Sequence, residues 1–121
     1  MKKILVVDDK SSISNLLVQF LSHQYNVETR ADGLEALTWL QEGNMPDLVI
    51  TDLQMPNMDG TELIKRIKES GYFKDIPIIV LSSKDSSSDR VECLKLGAED
   101  FIAKPFNPEE LLLRIDKILL R

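Results

Sequence analysis

Reactive side chains stand where apolar runs stop. Ile4-Leu5-Val6-Val7 runs into Asp8 and Asp9, and Leu48-Val49-Ile50-Thr51 runs into Asp52. Pro77-Ile78-Ile79-Val80-Leu81 meets Ser82, and Asp100-Phe101-Ile102-Ala103 is followed by Lys104. A buried strand has no reason to end in a carboxylate, whereas ligands of open α/β sheets bind at the carboxyl edge. If these strands are parallel, three carboxylates, a hydroxyl and an ammonium converge on one cleft. Such carboxylates repel and call for a cation. A hard divalent ion with oxygen ligands, Mg²⁺ above all, answers that need. The hydroxyl and the ammonium suit a phosphoryl group, so the chemistry is phosphoryl transfer to a carboxylate. Singly, each residue has a plainer reading: Asp8, Asp9 and Ser82 as caps or turn residues, Lys104 as a surface lysine. Together, at four strand ends and with none read at the opposite edge, they favour a site.

The elements that must position them alternate. The spacing of Ile13, Leu16, Leu17, Phe20 and Leu21 predicts a helix, with Ser11 or Ser12 to cap it. Val27–Thr29 reads as a short strand. Asp32 opens a helix with Glu35 as its reciprocal acid, and Leu34, Leu37 and Leu40 form its inner face. Asp59 and Glu62 repeat that pairing ahead of Leu63, Ile64 and Ile67. Ser86–Ser88 cap a fourth helix carrying Val91 and Leu94. Asn107-Pro108-Glu109-Glu110 starts a fifth, whose apolar face is Leu111, Leu112, Ile115, Ile118 and Leu119. Five strand–helix alternations predict a doubly wound α/β fold, a parallel sheet with helices on both faces.

Length and composition bound the rest. The 121 residues fit one domain, 1–121, with one core. A net charge of −5 argues against direct nucleic-acid contact, which needs clustered basic residues. One cysteine, Cys93, excludes an internal disulfide and suits a reducing, cytoplasmic setting. No apolar run approaches a membrane span, and the run before Asp8 is too short for a signal peptide. Cys93 and His23 read as structural, and Trp39 and Tyr72 as structural or surface aromatics.

Four segments carry a resemblance. Ile-Leu-Val-Val-Asp-Asp, Asp-Leu-Val-Ile-Thr-Asp-Leu-Gln-Met-Pro-Asn-Met-Asp-Gly, Pro-Ile-Ile-Val-Leu-Ser-Ser and Gly-Ala-Glu-Asp-Phe-Ile-Ala-Lys-Pro-Phe occur in order. Over its whole length the chain resembles the receiver domain of two-component response regulators. The resemblance implies a flavodoxin-like fold of five helices and five strands in the order 2-1-3-4-5. It implies Asp52 as phosphoacceptor, taking a phosphoryl group from a sensor histidine kinase or phosphotransfer protein. Asp9, Asp52 and the Gln54 backbone carbonyl would ligate Mg²⁺, with Asp8 acting through water. Ser82 and Lys104 would contact the phosphoryl group, the Lys104-Pro105 bond would be cis, and Ser82 and Phe101 would be the switch residues. Lys10, Ser83 and Phe101 depart from the commoner acid, Ala and Tyr. Gln54 and Lys84 stand where the family controls access of the hydrolytic water.

The fourth helix, fifth strand and fifth helix form the family's signalling face, on which Arg90, Asp100, Glu110 and Arg114 match charged positions used for homodimers. Lys95 with Asp116 is a further candidate pair, and Val91, Leu94 and Leu112 a candidate apolar patch. The alternative occupant is a downstream effector. Such a protein catalyses only its own phosphorylation and dephosphorylation. Rival classes fit less well. An aspartyl-phosphate phosphohydrolase needs an acid where Gln54 stands, a pseudo-receiver would not need all five site residues, and a dinucleotide fold lacks its Gly-rich turn after the first strand.

Overall fold

The computed structural model describes residues 1–121. In chain order it contains β1 (Lys3–Val7), α1 (Ser11–Leu21), β2 (Asn26–Arg30), α2 (Gly33–Gln41) and β3 (Leu48–Thr51). Then follow α3 (Gly60–Glu69), β4 (Ile78–Ser82), α4 (Ser87–Leu96), β5 (Asp100–Ala103) and α5 (Pro108–Leu119). The strands form one parallel sheet in the order β2-β1-β3-β4-β5. This is the doubly wound α/β arrangement that the alternation predicts.

Side chains alternate across each strand, so the apolar runs feed two cores. Leu5, Val7, Val49, Ile78 and Val80 face one side, with Ala36, Leu40, Leu63, Ile64, Ile67 and Cys93 packed on them. Ile4, Val6, Leu48, Ile50, Ile79, Leu81 and Ile102 face the other, covered by Leu17, Leu21, Leu111, Ile115 and Leu119. Helices on both faces explain why β1, β3 and β4 are continuously apolar. Trp39 is buried on α2, with Lys3 Nζ and Arg30 Cζ at 5.7 and 5.5 Å from its ring centre.

Several local expectations are corrected. Neither Ser11 nor Ser12 caps α1; Lys10 holds that place without a side-chain bond. Leu16 and Leu34 are exposed, because α1 buries Ser14, Leu17 and Leu21, and α2 buries Ala36, Leu37, Trp39 and Leu40. Val91 and Leu94 are exposed, as a candidate apolar surface patch requires, and α4 buries Cys93 alone. Ser82 is the last residue of β4 and Pro77 lies outside it, since proline has no N–H for the ladder. The opposite sheet edge does carry acids, but local partners use them: Asp47 accepts from the Lys3 N–H, and Asp100 from the Phe101 N–H and Arg114. No helix is long and apolar enough to cross a membrane.

Candidate functional site

Parallel strands share a carboxyl edge, and the register aligns β1 with β3 through Val7 and Thr51. Asp8 and Asp52, the next residues, therefore emerge side by side. Both are buried, whereas Asp9 is exposed. One oxygen from each of Asp8, Asp9 and Asp52 lies within 4.8 Å of the others.

Lys104 reaches this cluster from beyond β5. Its N–H donates to the Ser82 carbonyl, which seats the turn against β4. Its Nζ donates to Asp8 Oδ2 at 2.8 Å and to Asp52 Oδ2 at 3.3 Å. Burial alone would lower the ammonium's pKa; the Asp8 bond and charge, then Asp52, outweigh it and hold the group above its ordinary value. The Lys104-Pro105 peptide bond is cis.

The other oxygens are committed unequally. Asp8 Oδ1 accepts from the Lys10 N–H at 2.9 Å, so both Asp8 oxygens have partners. Asp52 Oδ1 accepts from the Leu53 N–H at 2.7 Å, which fixes the carboxylate's rotation. Asp9 has no hydrogen bond to its carboxylate. Three carboxylates facing one ammonium leave two formal negative charges, the amount one divalent ion offsets. The cluster is fit to hold a metal ion through oxygen donors.

The segment after Asp52 returns tightly on itself. Gly60 donates its N–H to the Leu53 carbonyl at 2.9 Å, and a Cβ on Gly60 would lie 2.0 Å from the Asp52 carbonyl oxygen. Only glycine permits that approach. Gln54 is exposed and borders a hollow with Asp9 and Lys84. Ser82 is buried; its hydroxyl accepts from the Lys84 N–H at 3.1 Å rather than contacting Asp52. Phe101 is buried in the core beneath α4, with the Arg90 guanidinium carbon 5.2 Å from its ring centre.

The charged residues read as a surface set are joined within the chain. Arg114 donates to Asp100 at 2.7 Å and to Glu110 at 3.2 Å. The Lys95–Asp116 pair is not supported, because Asp116 accepts from the Tyr25 hydroxyl at 2.5 Å, on the α1 side of α5. Burial, then the Asp116 bond, pushes the Tyr25 phenol's pKa up. Nothing in the sequence signals that contact. Asp32 and Asn57 were legible only as a cap and a turn residue, yet they bond each other at 2.7 Å.

Comparison with known proteins agrees with this geometry. The model of the response regulator receiver domain family matches residues 4–116. Response regulator MprA of Mycobacterium sp. (strain KMS) is 44% identical over 120 residues, 98% of this chain and 51% of that protein. The alkaline phosphatase synthesis transcriptional regulatory protein PhoP of Bacillus subtilis (strain 168) is 43% identical over 99% of this chain and 49% of its own. The chain thus spans about half the length of these curated relatives. Chemotaxis response regulator CheY4 of Vibrio cholerae superposes with a TM-score of 0.90 at 38% identity, covering 98% of this chain and 99% of its own. A putative response regulator from Chloroflexus aurantiacus J-10-fl gives 0.92 at 36% identity, covering 99% and 98%. With fold, acid cluster and sequence in agreement, the chain belongs to the response regulator receiver domain family.

Proposed function

We propose that residues 1–121 form one receiver domain of a cytoplasmic two-component phosphorelay, in which Asp52 accepts a phosphoryl group from a phosphohistidine on a sensor histidine kinase or phosphotransfer protein. The observation that carries this reading is the gathering of Asp52, Asp8 and Asp9 in one cluster whose Lys104 ammonium bonds both Asp8 and Asp52. An Asp52 oxygen attacks phosphorus, the P–N bond of the donor breaks, and its electron pair leaves on the imidazole nitrogen. Lys104 shifts its hydrogen bond from Asp52 to a phosphoryl oxygen, and the Ser82 hydroxyl turns towards another. Mg²⁺, when bound, offsets the charge that spreads over the equatorial oxygens of the transferring group. Asp9, Asp52 and the Gln54 carbonyl are suited to ligate it directly. Asp8, which holds the shorter Lys104 bond, 2.8 Å against 3.3 Å at Asp52, is suited to act through water.

Phosphorylation shifts a pre-existing equilibrium of the α4–β5–α5 face. Ser82 and Phe101 transmit the change, and that face meets an effector or a second copy through Arg90, Asp100, Glu110 and Arg114. The domain turns over nothing but its own phosphoryl group. It acts alone or as the receiver part of a longer regulator, as the greater length of its relatives suggests.

Incubation with Mg²⁺ and acetyl phosphate, followed by intact mass measurement, tests the reading. One phosphoryl adduct is expected, absent from Asp52→Ala. No adduct on the wild type, or an adduct that persists in the variant, rejects the assignment. Steady phosphate release from monoesters would point to a hydrolase instead, against which the amide of Gln54 already counts.

A further inference from the structure

The acids of the site are held by strands, but a carbonyl of Gln54 must be held by a loop. Residues 53–59 are tied at their ends to α3, where Leu53 accepts from the Gly60 N–H and Asp59 caps by accepting from the Glu62 and Leu63 N–H groups; between these ends there is only the Met58 N–H to the Pro56 carbonyl at 2.7 Å. The hydrogen bonds that reach them from an element not adjoining them in the chain both come from the start of α2. Gly33 donates its N–H to the Met58 carbonyl at 3.0 Å. Asp32 Oδ2 accepts from Asn57 Nδ2 at 2.7 Å.

Three features mark this junction as built. Asn57 has φ +67, the one non-glycine residue in the left-handed region. Asparagine tolerates that region better than most residues, and such outliers gather where a backbone must be aimed. Asp32 is buried and serves two masters, since its Oδ1 caps α2 by accepting from the Glu35 N–H at 2.9 Å. Gly33 leaves no space for a side chain, because a Cβ would lie 2.7 Å from the Met58 carbonyl oxygen.

We infer that Asp32 and Asn57 are positioning residues for the metal-binding loop: their bond, with the Gly33–Met58 bond, fixes the course of residues 53–59 and so the aim of the Gln54 carbonyl. This rests on the reading of Gln54 as a Mg²⁺ ligand. A backbone ligand has no side-chain rotamer of its own to set, so its direction is that of the loop. Outer partners of metal ligands act in this way.

Two variants separate this role from capping. Asn57→Gly keeps the positive φ without cost and removes the amide. Asp32→Ser keeps a helix cap and removes the oxygen that Asn57 uses. Mg²⁺ is titrated without phosphodonor, following the backbone amide resonances of Gln54 and Met55, and thermal unfolding is recorded alongside. Both variants are expected to bind Mg²⁺ about tenfold more weakly, with the amides of Gln54 and Met55 displaced and α2 intact. Wild-type affinity in both variants overturns the inference while leaving the proposed function standing. Absence of Mg²⁺ binding in the wild type, or its persistence in Asp9→Ala, overturns both together. If one variant fails to fold, the other decides; failure of both shows that the pair holds the fold rather than the loop, which also overturns it.

Discussion

Lys104 is the residue on which the resting site turns, because it answers two carboxylates at once. Removing one partner of a buried ion pair leaves charge uncompensated, so Lys104→Met is expected to cost about 3 kcal/mol in urea unfolding without Mg²⁺. Added Mg²⁺ should recover much of that loss. The pH dependence has a definite sign. The ammonium's folded pKa lies above its ordinary value of 10.5. Its contribution is therefore complete below that value and declines only as pH rises through the folded pKa. The stability gap between wild type and Lys104→Met should stay level from neutral pH up to the ordinary value of 10.5 and narrow only above it. Gly60 has a steric rather than an electrostatic role. Gly60→Ala forces a methyl into the Asp52 carbonyl, and a loss above roughly 3 kcal/mol, read by denaturant midpoint, is expected. At this scale the sequence was most informative about side chains with chemistry: Asp8, Asp9, Asp52 and Lys104 meet as their strand ends predict. It was least informative about Asn57 and Asp116, whose partners lie 25 and 91 residues away. Contacts of that range leave no periodic trace in a single sequence.

Helices α2 and α4 differ in what holds them. Asp32 caps α2, and burial would raise its carboxyl. The hydrogen bonds from Glu35 and Asn57 outweigh that and hold its pKa below the ordinary 3.8. A depressed acid contributes stability above its unfolded pKa and loses it as pH falls through the folded one. The difference in urea midpoint between wild type and Asp32→Asn should therefore hold at neutral pH and shrink in acid below about pH 4. Helix α4 has a Ser86 cap and a left-handed Gly97 terminus but buries only Cys93. Helix α3 buries Leu63, Ile64 and Ile67. Few buried apolar groups mean a low opening free energy, so α4 amides should exchange with deuterium at least about tenfold faster than those of α3. Element type and order were legible because short unbroken apolar runs alternate along the chain with stretches of 3.6-residue period. Which apolar residues face inward was less so. Leu16 and Leu34 fit a helical stripe by spacing, yet short helices offer more than one stripe, and the sheet covers only one.

For the molecule as a whole, the resting state spends its surface charges on itself. Arg114 already satisfies Asp100 and Glu110, and Arg90 lies over Phe101. A dimer through this face must exchange bonds within the chain for bonds between chains, so little driving force exists without phosphorylation. Sedimentation is expected to give the 13.8 kDa monomer for the resting protein and twice that mass with beryllofluoride. A monomer in both states at high concentration would leave an effector as the partner of the face. Trp39, finally, is the single tryptophan of the chain and rests between two cationic side chains on the helix that begins at Asp32 and Gly33. Its emission is thus a native optical label: light from one indole reports how α2 sits, and any rearrangement that Mg²⁺ or phosphate sends through the 53–59 loop can be timed by stopped flow without attaching a dye.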